Sequence, residues 1–272
     1  MEKAERKEFG RVRPPAQAGQ FYPANPERLR SEVLAMLADA KDDGGIPPKA
    51  IIAPHAGYIY SGPVAASAYV RLKPARDVIR RIVLVGPSHF SLFDGLAAPA
   101  ADAFATPLGT IPLDKDSITK ASSMPQVCVS DSIHRAEHSL EVHLPFLQLV
   151  LSDFRLVPLL VGCADEQQVG EVIDALWGGP ETCVVVSSDL SHYYDYASAI
   201  AMDRNTARAI EGLRSDLLTE ESACGREAIR GLLYVARKRG LVCRLVDLRN
   251  SGDTAGPRDR VVGYGAFVFE PG

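Results

Sequence analysis

The chain has 272 residues, of which 46% are hydrophobic and 24% are charged, and its formal net charge is −4 at pH 7. This composition is typical of a globular protein with an ample core. The even mixing of acidic and basic residues argues against the basic surface that binding to nucleic acid or an anionic membrane requires. Every apolar run falls short of the roughly 20 residues that a membrane-spanning helix needs.

The cysteines and the N-terminal residues bear on the cellular compartment. Five cysteines occur, and none forms a CxxC pair: Cys128, Cys163, Cys183, Cys224 and Cys243. Their odd number and scattered spacing argue against a disulfide framework or a zinc ribbon, and favour a reducing environment. Residues 1–7 are charged, but no apolar segment follows them, so a secretory signal is not expected. We therefore expect a cytoplasmic protein.

Apolar runs rich in Val, Ile and Leu alternate along the chain with amphipathic helical patterns. Strands are predicted near residues 50–54, 81–86, 155–161, 182–187, 242–248 and 261–269, and helices over 63–72, 137–151, 166–177, 197–213 and 225–239. Residues 104–113, which are punctuated by Pro and Gly, predict a hairpin or an edge element. The alternation predicts an α/β fold with a central, mostly parallel sheet covered by helices on both faces. No linker or repeat interrupts it, so a single domain over 1–272 is expected.

Three histidines follow predicted strands at points where the chain enters turns rich in Gly, Pro and Ser. They are His55, His89 and His192. Ligands of parallel α/β sheets gather beyond the carboxyl ends of the strands, and imidazole is the commonest metal ligand. The pattern therefore indicates a metal site, although each histidine alone could be a hydrogen-bonded turn residue. Asp189 could be a ligand or could orient an imidazole, and His192 could be a ligand or a general base.

Two local patterns surround the first of these histidines. Ser61 is a plausible N-cap, with Pro63 in the first turn, for the helix predicted after His55. Residues 14–23 are dense in Pro, Gly and aromatic residues, and have neither helical nor strand periodicity. They could form an ordered segment that covers the site or a plain N-terminal loop.

The segment 134–143 carries an unusual density of histidine and glutamate. On the predicted helix, His134, His138 and Glu141 lie at i, i+4 and i+7 and would share one face. The spacing differs from the HExxH motif, so we rank a contact with the substrate or with a metal ligand above direct ligation. The alternative is a polar helix start before an apolar body. Glu137 and Glu141 would repel each other unless a cation or hydrogen bonds intervene.

Cys224 lies at the predicted start of the helix over 225–239. A helix N-terminus stabilises a thiolate, and the nearby Arg226 would act in the same direction, so a lowered pKa of Cys224 is expected. Such a thiolate could ligate a metal or act as a nucleophile. The other cysteines lie within or beside apolar runs and are expected to pack as small core residues.

Several of these segments together resemble the Memo family (mediator of cell motility), whose microbial branch is also called AmmeMemoRadiSam system protein B. The similarity covers nearly the whole chain. It rests on Ala18-Gly19-Gln20-Phe21-Tyr22-Pro23, Pro54-His55-Ala56-Gly57-Tyr58, Gly86-Pro87-Ser88-His89, Thr106-Pro107-Leu108-Gly109, Glu137-His138-Ser139-Leu140-Glu141, Leu144-Pro145-Phe146-Leu147, Ser187-Ser188-Asp189-Leu190-Ser191-His192, Cys224-Gly225 and Asn250-Ser251-Gly252-Asp253.

The resemblance implies a fold related to the class III extradiol dioxygenases, non-haem iron enzymes that cleave aromatic rings. It implies metal ligation by His55, His89 and Cys224, with Asp189 and His192 lining the same pocket. In the dioxygenases two histidines and a glutamate hold the iron, and the counterpart of His192 acts as acid and base. A thiolate in place of that glutamate suits iron, copper or zinc and departs from the facial triad of the Fe(II) oxygenases.

The leading hypothesis is thus a cytoplasmic metal-binding protein that holds Fe(II) or copper, with zinc as a further option. It would activate O2 or an organic substrate by redox chemistry. The residues expected around the metal are Asp189, His192, His138 and Glu141. The alternative is a non-catalytic binding, scaffold or metal-carrier protein whose pocket recognises a peptide or a small acidic ligand. The name of the microbial branch implies a radical SAM protein and an Amme-type protein as pathway partners.

Overall fold

Strands and helices alternate along the described part of the chain. The computed structural model describes residues 9–41 and 44–272; residues 1–7, for which no secretory signal is expected, lie outside it. The strands are β1 (Val12–Arg13), β2 (Ala50–Ala53), β3 (Arg81–Pro87), β4 (Leu96–Ala98), β5 (Ala103–Thr106), β6 (Gly109–Pro112), β7 (Val127–Val129), β8 (Arg155–Val161), β9 (Thr182–Ser187), β10 (His192–Tyr194), β11 (Leu241–Asn250) and β12 (Val261–Pro271).

The α-helices are α1 (Pro26–Asp39), α2 (Tyr58–Tyr69), α3 (Lys115–Ser122), α4 (Asp131–His134), α5 (Leu144–Val150), α6 (Glu166–Ala175), α7 (Tyr196–Glu211), α8 (Arg226–Arg239) and α9 (Ser251–Thr254). Short 3-10 helices span Val70–Ala75, Glu141–His143 and Ser215–Leu217. Within residues 9–41 and 44–272, no helix combines the length and the apolar character required to cross a membrane.

The large sheet has a parallel centre with antiparallel flanks. Its strand order is β10-β12-β2-β9-β3-β8-β4-β7, and β11 pairs with β12. The four strands β2, β9, β3 and β8 run parallel, whereas β12 is antiparallel to β2 and β4 is antiparallel to β8. The α/β prediction is confirmed, and the sheet is mixed. The hairpin predicted over 104–113 is also confirmed: β5 and β6 pair, and β1 joins them in a separate sheet.

Helices cover the central strands on both faces. Every residue of β2 and β9 is buried, which requires that neither face of the sheet meets water. Helices α6 and α8 pack together, with α8 against β3 and β9, while α1, α2 and α5 form a second group in which α2 contacts β2 and β12. The buried apolar side chains form one connected core.

Two predicted helix starts are wrong. Ser61 is not an N-cap, because α2 already begins after Gly57 and includes Ser61 and Pro63. The helix predicted over 137–151 begins only at Leu144, following the 3-10 turn Glu141–His143. The Glu137 carboxylate takes the backbone N–H groups of the next two residues, which diverts the chain from a helical path. His134, His138 and Glu141 therefore do not share a helix face.

A buried carboxylate fixes the N-terminal segment against this turn. Glu141 Oε2 accepts from Arg13 Nη1 at 2.7 Å and from the Ala16 backbone N–H at 2.8 Å. Its Oε1 accepts from the Gln17 backbone N–H at 2.8 Å and from the Tyr22 hydroxyl at 2.6 Å. Four donors thus orient Glu141, and one of them, Arg13, balances its charge. Of the two alternatives for residues 14–23, these contacts favour the ordered segment over the plain loop.

Glu141→Gln should lower the free energy of unfolding by about 3 kcal/mol, because it leaves the buried Arg13 guanidinium without its counter-charge. Urea denaturation measures this change. The matched control is Arg11→Ala: Arg11 lies on the same segment, but its ion pair with Asp131 is long, at 3.5 Å, and exposed. Its loss should cost less than about 1 kcal/mol. Equal losses of stability in the two variants would contradict the conclusion that Glu141 holds the N-terminal segment in place.

Candidate metal centre

Three imidazole rings meet beyond the carboxyl ends of two parallel strands. His55 follows β2 and His89 follows β3, and the turn between α4 and α5 brings His138 to them. One ligand atom from each ring lies within 4.8 Å of the other two. The His89 and His138 rings stack with their centroids 4.5 Å apart. His55 is buried and His89 is exposed, so the cluster reaches from the core to the surface.

The two ring nitrogens of His55 face different residues: one is hydrogen-bonded to Ser187, and the other faces the thiol of Cys224. Its Nδ1 lies 2.6 Å from Ser187 Oγ, and its Nε2 lies 3.4 Å from Cys224 Sγ. Its backbone N–H donates to Asp189 Oδ1 at 2.8 Å. Burial lowers the pKa of His55 well below its ordinary value, and the neighbouring imidazoles lower it further. The ring is therefore neutral and presents a lone pair at Nε2.

Glu137 plays the corresponding part for His89. Its Oε2 accepts from the His89 backbone N–H at 2.6 Å, and its Oε1 accepts from His89 Nδ1 at 2.9 Å. Burial raises the pKa of Glu137, but the hydrogen bonds from His89 and Ser139 outweigh this effect and hold it at about 2. Because a carboxylate only accepts, Nδ1 of His89 carries the proton. A carboxylate that pins the far nitrogen of an imidazole is the usual arrangement in metal sites.

His138 differs from the other two rings. Its Nδ1 lies 3.2 Å from Glu137 Oε1 but is not aligned with it for a hydrogen bond, and no other described residue provides a partner. The ring is enclosed by aromatic side chains, with the centroids of Phe21 and Phe90 at 4.7 and 5.9 Å. Phe21 belongs to the N-terminal segment, so that segment forms a wall of the cluster.

Cys224 lies beside His55, but the expectation of a lowered thiol pKa is wrong. Burial raises the pKa of Cys224 to about 12, and the Asp189 charge adds to this effect. Arg226 does not compensate, because its guanidinium pairs with Glu227 at 2.6 Å. The Asp189 backbone N–H does point at Cys224 Sγ, at 3.3 Å. The thiol thus holds its proton unless a cation displaces it.

Asp189 lies on the turn that leads from β9 to β10, and His192 is the first residue of β10. Burial raises the pKa of Asp189, whereas His192 and the backbone N–H groups of His55 and Ala56 lower it. His192 Nδ1 lies 2.8 Å from the Leu190 carbonyl oxygen, which can only accept, so Nδ1 carries a proton. In the uncharged form of the ring, the lone pair is therefore on Nε2.

A cavity of about 610 Å³ opens next to the thiol. Its lining includes Ser88, Leu92, Cys163, Cys224 and Arg226. This volume is in the range of pockets that hold small organic ligands. The cavity reaches Cys224 and the turn before His89, and no histidine is among the described residues that line it.

Comparisons with known proteins agree with this architecture. A family model described as "Memo-like protein" matches residues 13–268. A MEMO1 family protein of Archaeoglobus fulgidus is 35% identical over 274 residues, covering 95% of this chain and 99% of the relative. One from Aquifex aeolicus is 33% identical over 273 residues, with 95% and 99% covered. The chain belongs to the Memo family. Its α/β architecture fits the class III extradiol dioxygenase-like fold of that family.

Within the Memo fold, the structure brings most of the residues singled out from the sequence into one region. His55, His89 and His138 form the cluster, and Cys224 and Asp189 lie against His55. Glu141, by contrast, has its four hydrogen bonds in the N-terminal segment. His134 lies apart from the cluster and contacts the Ala97 carbonyl oxygen at 3.0 Å through Nε2.

Sequence reasoning missed two residues that orient the cluster, Glu137 and Ser187. Glu137 adjoins His138 in the sequence, and a carboxylate next to a candidate ligand is a usable signal for such a role. Ser187 is the last residue of β9, which lies between β2 and β3, so its position follows from the strand order. That order is not readable from the sequence.

Acid should destabilise this Memo protein from about pH 6.5 downward. Burial lowers the pKa of His134 and of His138 to about 4 and that of His143 to about 3. Below pH 6.5 the unfolded chain takes up protons that the folded chain does not, so stability falls as the pH drops toward the folded-state values. Each such histidine contributes a slope of about 1.4 kcal/mol per pH unit.

His134→Gln tests this argument outside the cluster, because the amide keeps a donor for the Ala97 carbonyl but does not titrate. Urea denaturation between pH 7 and pH 4 should show a loss of stability about 3 kcal/mol smaller than in the wild type. An unchanged pH slope would contradict the assignment of His134 as a buried neutral imidazole.

Proposed function

We propose that this protein binds a redox-active transition metal, iron or copper, through His55, His89 and Cys224, with His138 as a further donor. The observation that carries the proposal is the convergence of three imidazoles within 4.8 Å, two of them with the far nitrogen already hydrogen-bonded. Imidazole and thiolate together suit iron, copper and zinc. The unpartnered Nδ1 of the enclosed His138 ring also fits a cluster built for a ligand.

A bound ion would supply an open coordination position and a redox couple for chemistry on O2 or an organic substrate. The protein would supply proton transfer. His192 carries its proton on Nδ1, held by the Leu190 carbonyl, so that its Nε2 accepts a proton from the substrate. The carboxylate of Asp189 would stabilise the imidazolium that results, since the His192 charge lowers the pKa of Asp189 against the effect of burial.

The ligand that this site would take is a small organic molecule or the side chain of a peptide. The cavity beside Cys224 has a suitable volume, and Phe21 and Phe90 would exclude water from the imidazole cluster. A cytoplasmic location belongs to the same proposal, because all five cysteines, including the exposed Cys128 and Cys163, are unpaired.

Metal analysis after anaerobic purification tests the first part of the proposal. The wild-type protein should hold a stoichiometric transition metal, and His55→Ala and Cys224→Ser should lose most of it. The control is His134→Gln, which replaces a buried histidine outside the cluster and should retain the metal. Wild-type protein without a transition metal under these conditions would overturn the proposal.

Cobalt substitution separates the roles of Cys224 and His138. Wild-type protein loaded with Co(II) should show a near-ultraviolet thiolate-to-cobalt band. Cys224→Ser should abolish the band, whereas His138→Ala should keep it and lower the affinity. A band that survives Cys224→Ser would remove the thiolate from the ligand set.

His192→Ala tests the proposed proton transfer. It should leave the metal content unchanged and lower O2 consumption with catechol-like probes by about 100-fold or more, since it removes the proton acceptor. A purely structural His192 would instead change the stability and leave turnover intact. Wild-type protein that binds metal but turns over no probe would favour the metal-carrier or binding alternative over a redox enzyme.

A further inference from the structure

A buried chain of hydrogen bonds leads from the histidine cluster into the core. The Tyr69 hydroxyl lies 2.7 Å from His143 Nδ1, and His143 Nε2 lies 2.8 Å from Ser187 Oγ. Ser187 Oγ in turn lies 2.6 Å from His55 Nδ1 and 2.6 Å from the Ser139 carbonyl oxygen. Tyr69, His143, Ser187 and His55 are all buried. The proposed chemistry uses none of the first three residues.

The protons of this chain are fixed by donor and acceptor counting. The Ser139 carbonyl can only accept, so the single Ser187 hydroxyl proton points to it. The two remaining neighbours of Ser187 Oγ must then donate, which places protons on His55 Nδ1 and His143 Nε2. Burial lowers the pKa of His143 to about 3, so its ring is neutral and its Nδ1 accepts from Tyr69.

We infer that Ser187 is a positioning residue for the proposed metal site. Its hydroxyl proton is committed to the Ser139 carbonyl, and His143 Nε2–H occupies one of its two lone pairs, so the other lone pair accepts from His55. The proton of His55 is thereby held on Nδ1, and the Nε2 lone pair faces Cys224 and the other imidazoles. The tautomer follows from the hydrogen bonds alone; its consequence for affinity rests on the proposed metal binding.

Removal of Ser187 changes the count. Without its hydroxyl, His55 Nδ1 has no acceptor on this side, and His55 is no longer restricted to one tautomer. Loss of His143 alone leaves the Ser187 hydroxyl committed to the Ser139 carbonyl. With a proton on Nε2, His55 would have no lone pair for a cation. Orienting partners of this kind typically contribute a factor of 10–100 in metal affinity.

Ser187→Ala and Ser187→Thr form the matched pair of variants. Alanine removes the acceptor of the His55 proton, whereas threonine keeps the hydroxyl. His143→Gln is the control in the same buried chain, because its amide still offers an N–H to Ser187 and a carbonyl oxygen to Tyr69.

The first measurement needs no metal. Long-range 1H–15N spectra of protein labelled on histidine should show wild-type His55 with its proton on Nδ1. Ser187→Ala should show a mixture of the two tautomers, and Ser187→Thr and His143→Gln should keep the wild-type pattern. Wild-type His55 protonated on Nε2, or an Nδ1 tautomer unchanged in Ser187→Ala, would overturn the inference.

The second measurement is the affinity for Zn(II), determined by competition with a chelator. Ser187→Ala should bind about 10–100 times more weakly than the wild type. Ser187→Thr and His143→Gln should bind within about threefold of it, a difference that a merely structural role for Ser187 does not predict. Unchanged affinity in Ser187→Ala would refute the link to the metal. If the wild type binds no metal, the proposed function fails, and the tautomer spectra still decide on the positioning role.

Discussion

The burial of uncharged imidazole rings determines the hydrogen bonds around the candidate site. A neutral imidazole has one donor and one acceptor nitrogen, so a ring that leaves water needs a complementary partner on each side or loses several kcal/mol. His55, His134 and His143 are each almost fully buried. Their hydrogen-bond partners include a serine hydroxyl, a tyrosine hydroxyl and a backbone carbonyl. These hydrogen bonds offset the free-energy cost of removing the rings from water. The same partners determine which nitrogen of each ring is free.

The two carboxylates of the 137–141 segment are kept apart by their hydrogen bonds. The sequence places Glu137 and Glu141 where ionised side chains on a helix would repel each other. The backbone avoids this arrangement by not forming a helix there. Glu137 accepts from His89 and from the backbone of its own turn, and Glu141 accepts from four donors of the N-terminal segment. The hydrogen bonds that the two carboxylates accept thus outweigh the helical periodicity of the sequence. The resulting turn places His138 in the cluster.

Local sequence signals were sufficient for six strands of the large sheet and for part of the site, but the short strands β1, β4, β7 and β10 were not predicted. Continuous apolar runs predicted β2, β3, β8, β9, β11 and β12, and the turns after β2 and β3 predicted His55 and His89. The helical reading of 137–151 was wrong, because the Glu137 side chain competes for backbone donors. The lowered pKa expected for Cys224 was wrong, because helix position and charge are visible in a sequence while burial is not. The role of Ser187 depends on the order of strands in the sheet, which is a tertiary property.

A cation could bind at this buried site in exchange for a proton. The neutral thiol of Cys224 faces the bare Nε2 of His55, so on its own the pair shares one proton and buries no net charge. A divalent cation that displaced this proton would add one net positive charge to the pair, and Asp189 Oδ2, 4.0 Å from His55 Nε2, would offset that charge. The Asp189 backbone N–H already points at the sulfur, as a thiolate requires. Exchange of this proton for a cation therefore needs little rearrangement of the protein. Because His89 is the exposed member of the cluster, the cation would enter from the side of the site on which His89 lies.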